Sequence, residues 1–371
     1  MKAYTSNNIR NIAVLGHGGK GKTTLCEAML YIAGASDRLG RVADGNTVLD
    51  FDSEEKRRKS SVSSAIAALE WDNTKLNIID APGLFDFEGG AAEAVRAAEA
   101  VLIVTSAGSG VDVGTEKAFR AAEKKGAAKF FAVTKTDSDH RNFYKTFDAL
   151  KEVYGNKLCP TIIPYMEGNI TKCYVNLMTG MAFSYDENGK ATKVPVPEDS
   201  VIEEMTSAFM EAVATTDDAL MEKFFEGEKF TKEEILKGLC IGIFDGSIYP
   251  VYAVSGLTCA GVDQLLYGLA WSAPGAFGYA GEKCTYENGE EGILPCDENG
   301  PLAAVCFKTI ADPFVGKMSF FKVVSGKLAP DTAAYNFRTG EIEKMGKIVF
   351  VKGAKQEDAP AIIAGLSLIH I

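Results

Sequence analysis

"NIAVLGHGGKGKTTLCEAML", residues 11–30, is an apolar run that breaks at a glycine-rich turn and resumes as a helix-forming stretch. Gly16, His17, Gly18, Gly19, Lys20, Gly21, Lys22 and Thr23 satisfy the pattern G-x-x-x-x-G-K-[ST], with Thr24 following. In such a turn, backbone amides and the helix N-terminus hold phosphate, because free N–H groups and the helix dipole both favour an anion. Lys22 reaches the β and γ phosphates, and the Thr23 hydroxyl can ligate Mg²⁺. The alternative is a chance glycine-rich turn. The apolar strand before the turn and the amphipathic helix after it argue against that.

Outward from this stretch, residues 1–157 alternate short apolar strands with amphipathic helices. "KLNIID", "AVLIVTSA" and "KFFAVTK" are the further strands; "GGAAEAVRAAEA" and "GTEKAFRAAEKKG" are the helices between them. Strands that are apolar throughout predict a mostly parallel sheet covered on both faces, hence an α/β fold. From residue 158 the pattern changes. "CYVNLMTGMAFSYDENGKATKVPVP" predicts antiparallel strands around an Asn188-Gly189 turn. A charged helix over about 198–225 and the helix "TKEEILKGLCIGIFDG" follow, and "YPVYAVS" with "GVDQLLYGLAWSAPG" restores the alternation. The expected organisation is one α/β domain (1–157 and 250–275) carrying an inserted α+β subdomain (158–249). A linker (276–300) and an incomplete antiparallel β-barrel (301–371) come next. The tail, 366–371, is expected to be a non-native fragment end.

Two more stretches specify the ligand. "TKTD" (Thr134, Lys135, Thr136, Asp137) lies at a strand end. A carboxylate there accepts both the ring N1–H and the exocyclic amine of guanine; adenine offers no such pair, so GTP and GDP are expected over ATP. Lys135 would stack its alkyl stem on the base. "DAPGL" (Asp80, Ala81, Pro82, Gly83, Leu84) ends another strand. Asp80 would hold Mg²⁺ through water, and Gly83 would offer its N–H to the γ phosphate. "SGL" (Ser255, Gly256, Leu257) ends a further strand and would touch the guanine oxygen.

Bulk composition is compatible with this. The chain has 371 residues, 46% of them hydrophobic, and a formal net charge of −11. That balance excludes a broadly basic DNA binder. Eight cysteines without a CxxC pair argue against a disulfide framework or zinc site. No apolar run is long enough to span a bilayer, and "MKAYTSNNIRN" carries no signal-peptide core. The expectation is a cytoplasmic monomer without membrane contact. "EKRRK" (55–59) and Lys124, Lys125 and Lys129 read as solvated helix faces, and His140 reads as a surface residue.

In the order of these motifs the chain resembles the elongation factor G group of translational GTPases, its elongation-factor-G-like paralogues in particular. "IRNIAVLGHGGKGKTTLCEAML" is similar to that group's first strand, phosphate loop and helix, including His17. "VLDFDSEEKRRKSSVSSA" resembles switch I, "DAPGLFDFEGG" switch II, and "ADPFVGKMSFFKVVSGKL" the start of the second, β-barrel domain. The resemblance implies GTP/GDP and Mg²⁺ as cofactors, with the metal on Thr23 and Ser61. It implies the ribosome, both rRNA and ribosomal proteins, as partner in translocation, recycling or ribosome protection. It also implies further domains that this chain lacks, so translocation by these residues alone is not expected. Four positions depart from the group: Gly19 replaces an aspartate, Ser61 a threonine, Thr134 an asparagine, and Leu84 the histidine that positions water. Slow hydrolysis is therefore expected. The competing readings are a slowly cycling GTP-dependent binding module and, set back by Asp137, an ATP-using enzyme.

Overall fold

The computed structural model describes residues 4–138, 142–276, 281–286, 289–312, 316–365 and 367–370. His140 lies outside them. The first unit runs β1 (Ile9–Leu15), α1 (Lys22–Ile32), α2 (Ser53–Arg58), β2 (Ala65–Trp71), β3 (Thr74–Asp80), α3 (Glu88–Ala97), β4 (Ala100–Ser106), α4 (Val113–Lys125), β5 (Ala128–Thr134) and α5 (Phe143–Tyr154). It continues through β6 (Leu158–Glu167), β7 (Ile170–Asn176), β8 (Met181–Tyr185), β9 (Ala191–Val194), α6 (Ser200–Ala214), α7 (Asp218–Glu226), α8 (Lys232–Asp245), β10 (Tyr249–Ala253) and α9 (Val262–Ser272).

All ten strands form one sheet in the order β2-β3-β1-β4-β5-β10-β6-β7-β8-β9. The run from β3 to β6 is parallel; β2 and β7 to β9 attach antiparallel at the two edges. Strands β3, β4, β5 and β10 are buried end to end, as strands covered by helices on both faces must be. This is the mostly parallel sheet of a P-loop domain. The strands of 158–194 continue that sheet, with β6 pairing directly on β10.

Two local expectations are corrected, and one strand was not foreseen. The segment after "RRK" contains β2, which pairs with β3 through a two-residue turn at Asp72 and Asn73, both left-handed (φ 43° and 58°). The 198–225 helix is two helices. Thr216 turns its hydroxyl back to the Val213 carbonyl, and Asp217 starts α7 by accepting from the Ala219 N–H. Lys125 and Lys129 are not solvated: Lys125 pairs with Glu282 at 3.2 Å, and Lys129 is buried with its ammonium over the Phe119 and Tyr249 rings.

Beyond α9, the stretch expected as linker holds a hairpin, β11 (Glu282–Thr285) with β12 (Glu291–Leu294). Then come β13 (Ala303–Asp312), β14 (Gly316–Ser325), β15 (Lys327–Leu328), β16 (Ala333–Asn336), β17 (Glu341–Lys344), β18 (Ile348–Lys352), β19 (Lys355–Asp358), β20 (Ile362–Ile363) and β21 (Ser367–His370), all antiparallel in their pairings. These strands sit on the first unit through backbone and side-chain bonds. The Asn11 amide donates to the Gly365 carbonyl at 2.9 Å, and the Gly353 N–H donates to the Ile66 carbonyl at 2.9 Å. Buried Lys322 pairs with buried Glu99.

Candidate nucleotide site

The strand ends of β1, β3, β5 and β10 converge at the N-terminus of α1. Gly21 caps that helix in the left-handed conformation (φ 87°), which a glycine adopts without strain, and no side chain occupies the first amides. Those donors are available to an anion. Lys22 is buried and folds back over its own loop, its Nζ donating to the carbonyls of Gly16 (3.0 Å) and His17 (3.1 Å). Gly83 comes so close that any side chain there would collide with the Lys22 ammonium and the Gly18 backbone. Ala81 is tied to β1 by its N–H to the Val14 carbonyl (3.2 Å), and Pro82 is buried beside it.

Below the loop lies an acceptor-rich cluster. Thr23 donates to Asp80 Oδ2 at 2.6 Å and sits 3.0 Å from the Ser61 hydroxyl. Ser61 in turn donates to Asp50 Oδ1 at 2.7 Å. Asp80 Oδ1 and Asp50 Oδ2 are both buried without a hydrogen-bond partner. Burial, and then the neighbouring Asp50 charge, push the Asp80 carboxyl up to about 7. Two hydroxyls with two half-satisfied carboxylates are the oxygen chemistry that a hard divalent cation satisfies. Asp50 was not among the expected site residues. Its signal, an acidic residue just ahead of the charged helix α2, is too common to single out.

The base-side motifs close over the same loop. The Thr134 hydroxyl donates to the Lys20 carbonyl (2.6 Å), with the Thr105 carbonyl 3.0 Å away. Lys135 reaches across to the Gly19 carbonyl at 2.7 Å. Thr136 is buried, donating to the Val254 carbonyl at 3.0 Å, whereas Asp137 is exposed on the turn after β5. Ser255 is buried with its hydroxyl accepting from the Thr258 N–H (3.2 Å). The Gly256 backbone lies against Thr24 and Leu25 of α1, and Leu257 is exposed.

The four departures have visible surroundings. Gly19 faces open space, so no carboxylate stands there. Lys20, next to it, pairs with Asp112 at 3.1 Å. Leu84 is 40% exposed and lies over the loop: a Cβ on Gly18 would be 3.0 Å from Leu84 Cδ2. Beside it, the His17 ring meets Phe85 edge-on at 5.5 Å, and Lys117 covers Phe85 at 4.5 Å. The "EKRRK" stretch is divided. Arg57 and Arg58 are exposed and pair with Glu54, but Glu55 is buried and accepts from the Val62 N–H at 3.0 Å.

A family description of the elongation factor Tu GTP binding domain matches residues 7–274. The chain belongs to the translational GTPases. Its relatives within that family include elongation factor G-like proteins of two Mycobacterium tuberculosis strains, CDC 1551 / Oshkosh and ATCC 25618 / H37Rv. Each is 32% identical over 377 aligned residues, which cover 96% of this chain and 52% of the relative. A crystal structure from Thermus thermophilus superposes with a TM-score of 0.85 at 31% identity, covering 98% of this chain and 52% of that one. The chain therefore spans about half the length of the curated relatives it matches. Residues 7–274 therefore form a GTP-binding domain of that family.

Proposed function

We propose that this GTPase binds GTP and GDP with Mg²⁺ at the α1 N-terminus and acts on the ribosome in translocation, recycling or ribosome protection. The observation that carries the reading is the joined cluster of Thr23, Ser61, Asp80 and Asp50 beneath Lys22 and Gly83. It supports the reading because it would bring charge-neutralising and oxygen-donating groups to the β and γ phosphates. Thr23 and Ser61 would hold the metal, with Asp80 and Asp50 behind them; when bound, Mg²⁺ spreads the negative charge of the phosphates. Lys22 holds phosphate oxygens, and Gly83 lets the backbone of the β3 end approach the γ phosphate. Asp137 is free to accept from guanine. The cytoplasm and a monomeric state fit this role, and among the described residues no helix is long and apolar enough to cross a membrane.

A second reading has its own observation. Leu84 covers the loop with a side chain that cannot orient water, which favours a slowly cycling module that holds its partner while GTP persists. The two readings separate by GTP turnover with and without ribosomes. Stimulation of at least tenfold supports the ribosomal factor with active hydrolysis. Tight GTP-dependent ribosome binding without stimulation supports the slow module, and absence of both rejects ribosomal action.

A further inference from the structure

Strand β13 sends one lysine into the first unit at the place where the segment after Ser61 and the helix after Gly83 meet. The Lys308 side chain is 5% exposed. Its ammonium donates to the Ser63 hydroxyl at 2.6 Å, to the Ser64 hydroxyl at 3.0 Å and to the Ser64 carbonyl. It also lies 3.8 Å from Glu93 of α3, and Ser64 donates to the same Glu93 oxygen at 2.6 Å. Ser63 and Ser64 follow Ser61, whose hydroxyl enters the Thr23–Asp80 cluster; Glu93 stands on the helix that follows Gly83. Between them, the Val62 and Ser63 N–H groups are fixed by Glu55 Oε1 at 3.0 and 3.3 Å.

Two other lysines of the strands after α9 grip elsewhere: Lys322 holds Glu99 at the far end of the sheet, and Lys352 holds the Ala35 carbonyl. Among the described residues, Lys308 is thus the barrel cation whose partners lie on both segments. Its three donors go to Ser63 and Ser64, and its ion pair with Glu93, carried on by the Ser64–Glu93 hydrogen bond, is complete only while the segment after Ser61 and the helix after Gly83 are closed together. Closure is also what puts Ser61 on Thr23.

We propose that Lys308 is a positioning residue for the GTP-bound state: from the barrel it locks Ser61 onto the metal cluster, and so ties barrel seating to the γ phosphate. The proposal rests on the reading of the cluster as a GTP–Mg²⁺ site. GDP needs no closure over a γ phosphate, so the coupling predicts an asymmetric effect. By reciprocity, a link between two sites shows as a change in the affinity of the ligand that favours one state, commonly about fivefold or more.

The test is titration of the whole chain with a fluorescent non-hydrolysable GTP analogue and with fluorescent GDP, both in Mg²⁺. Lys308→Met keeps an unbranched apolar stem and removes the donors, together with the ammonium's place 5.5 Å over the Phe320 ring. It should weaken the GTP analogue about tenfold and leave GDP within about twofold. Lys322→Met, which cuts the seam away from the nucleotide, should change the two nucleotides by equal factors. If Lys308→Met melts below assay temperature, Ser64→Ala severs the same link from the other side and must show the same asymmetry. Equal effects on both nucleotides, or none, from the folded variant overturn the proposal. Failure of the wild-type chain to bind either nucleotide would instead sink the site reading beneath it.

Discussion

Leu84 and Asp137 are where single side chains decide chemistry. Leu84 lies over Gly18 with 40% of its surface exposed, and it can neither donate nor accept a hydrogen bond. Loss of one preorganised polar group at a transition state typically costs ~10²–10³ in rate. In single-turnover hydrolysis with ribosomes, Leu84→His should therefore gain at least tenfold over the unsubstituted protein. Fast wild-type hydrolysis that the substitution leaves unchanged would show that catalysis does not depend on this position. Asp137 is exposed on the turn after β5, ready to accept from two guanine donors. Asp137→Asn should lose GTP affinity by on the order of a hundredfold or more, since hydrogen bonds to a charged group contribute about 1.5–3 kcal/mol each. The same variant should gain xanthosine nucleotides, whose 2-oxo group matches the amide. Retained GTP preference in a competition titration would remove Asp137 from the base site. The motif spacing exposed Leu84, Asp137, Thr23 and Asp80, because each sits a fixed step from a strand end, whereas Ser61 was read only through the resemblance of its segment to switch I. Asp50 and Lys308 were illegible for the opposite reason: their partners, Ser61 and Ser64, reach them only through tertiary closure.

At the scale of elements, β3 carries a test of the seam between the large sheet and the antiparallel strands after α9. Lys75, 3% exposed, lies under the Phe350 ring of β18 at 4.2 Å. Burial lowers its ammonium to about 8, against the opposing pull of Glu70 and Glu357. The unfolded chain keeps that proton until about 10.4, so between about 8 and 10.4 the unfolded state binds more protons and folding stability rises with pH. Below about 8 both states are charged and the burial penalty is felt in full. Lys75→Met should thus be most favourable relative to wild type near about pH 7.5. That advantage should shrink by on the order of 1–3 kcal/mol by about pH 9.5, at about 1.36 kcal/mol per pKa unit. Urea unfolding of both proteins at the two pH values measures it, and a pH-independent difference contradicts it. Elements were legible to the degree that one period ruled them. The central parallel strands announce themselves as continuous apolar runs. By contrast, β2 begins among serines and depends on the Asp72–Asn73 turn, and the break between α6 and α7 rests on one capping aspartate.

The whole molecule places ten strands in one sheet, with the antiparallel strands after α9 bonded across its β1–β3 end and the strand-end motifs gathered around the α1 N-terminus. Strand–helix alternation foretold that sheet. It could not foretell that the inserted strands extend it, because which edge an antiparallel meander joins is decided by packing and leaves no local pattern. Everything proposed around that single sheet depends on the α1 N-terminus being a guanine-nucleotide site. Calorimetric titration of the chain with GTP, GDP and ATP in Mg²⁺ tests it most directly, with Lys22→Ala as the site control, its folding checked by circular dichroism. The expected result is binding of GTP and GDP at least a hundredfold tighter than ATP, by about 2.7 kcal/mol or more, and loss of both in the folded Lys22→Ala protein. Equal affinities for GTP and ATP, or undiminished GTP binding by the folded variant, would contradict it.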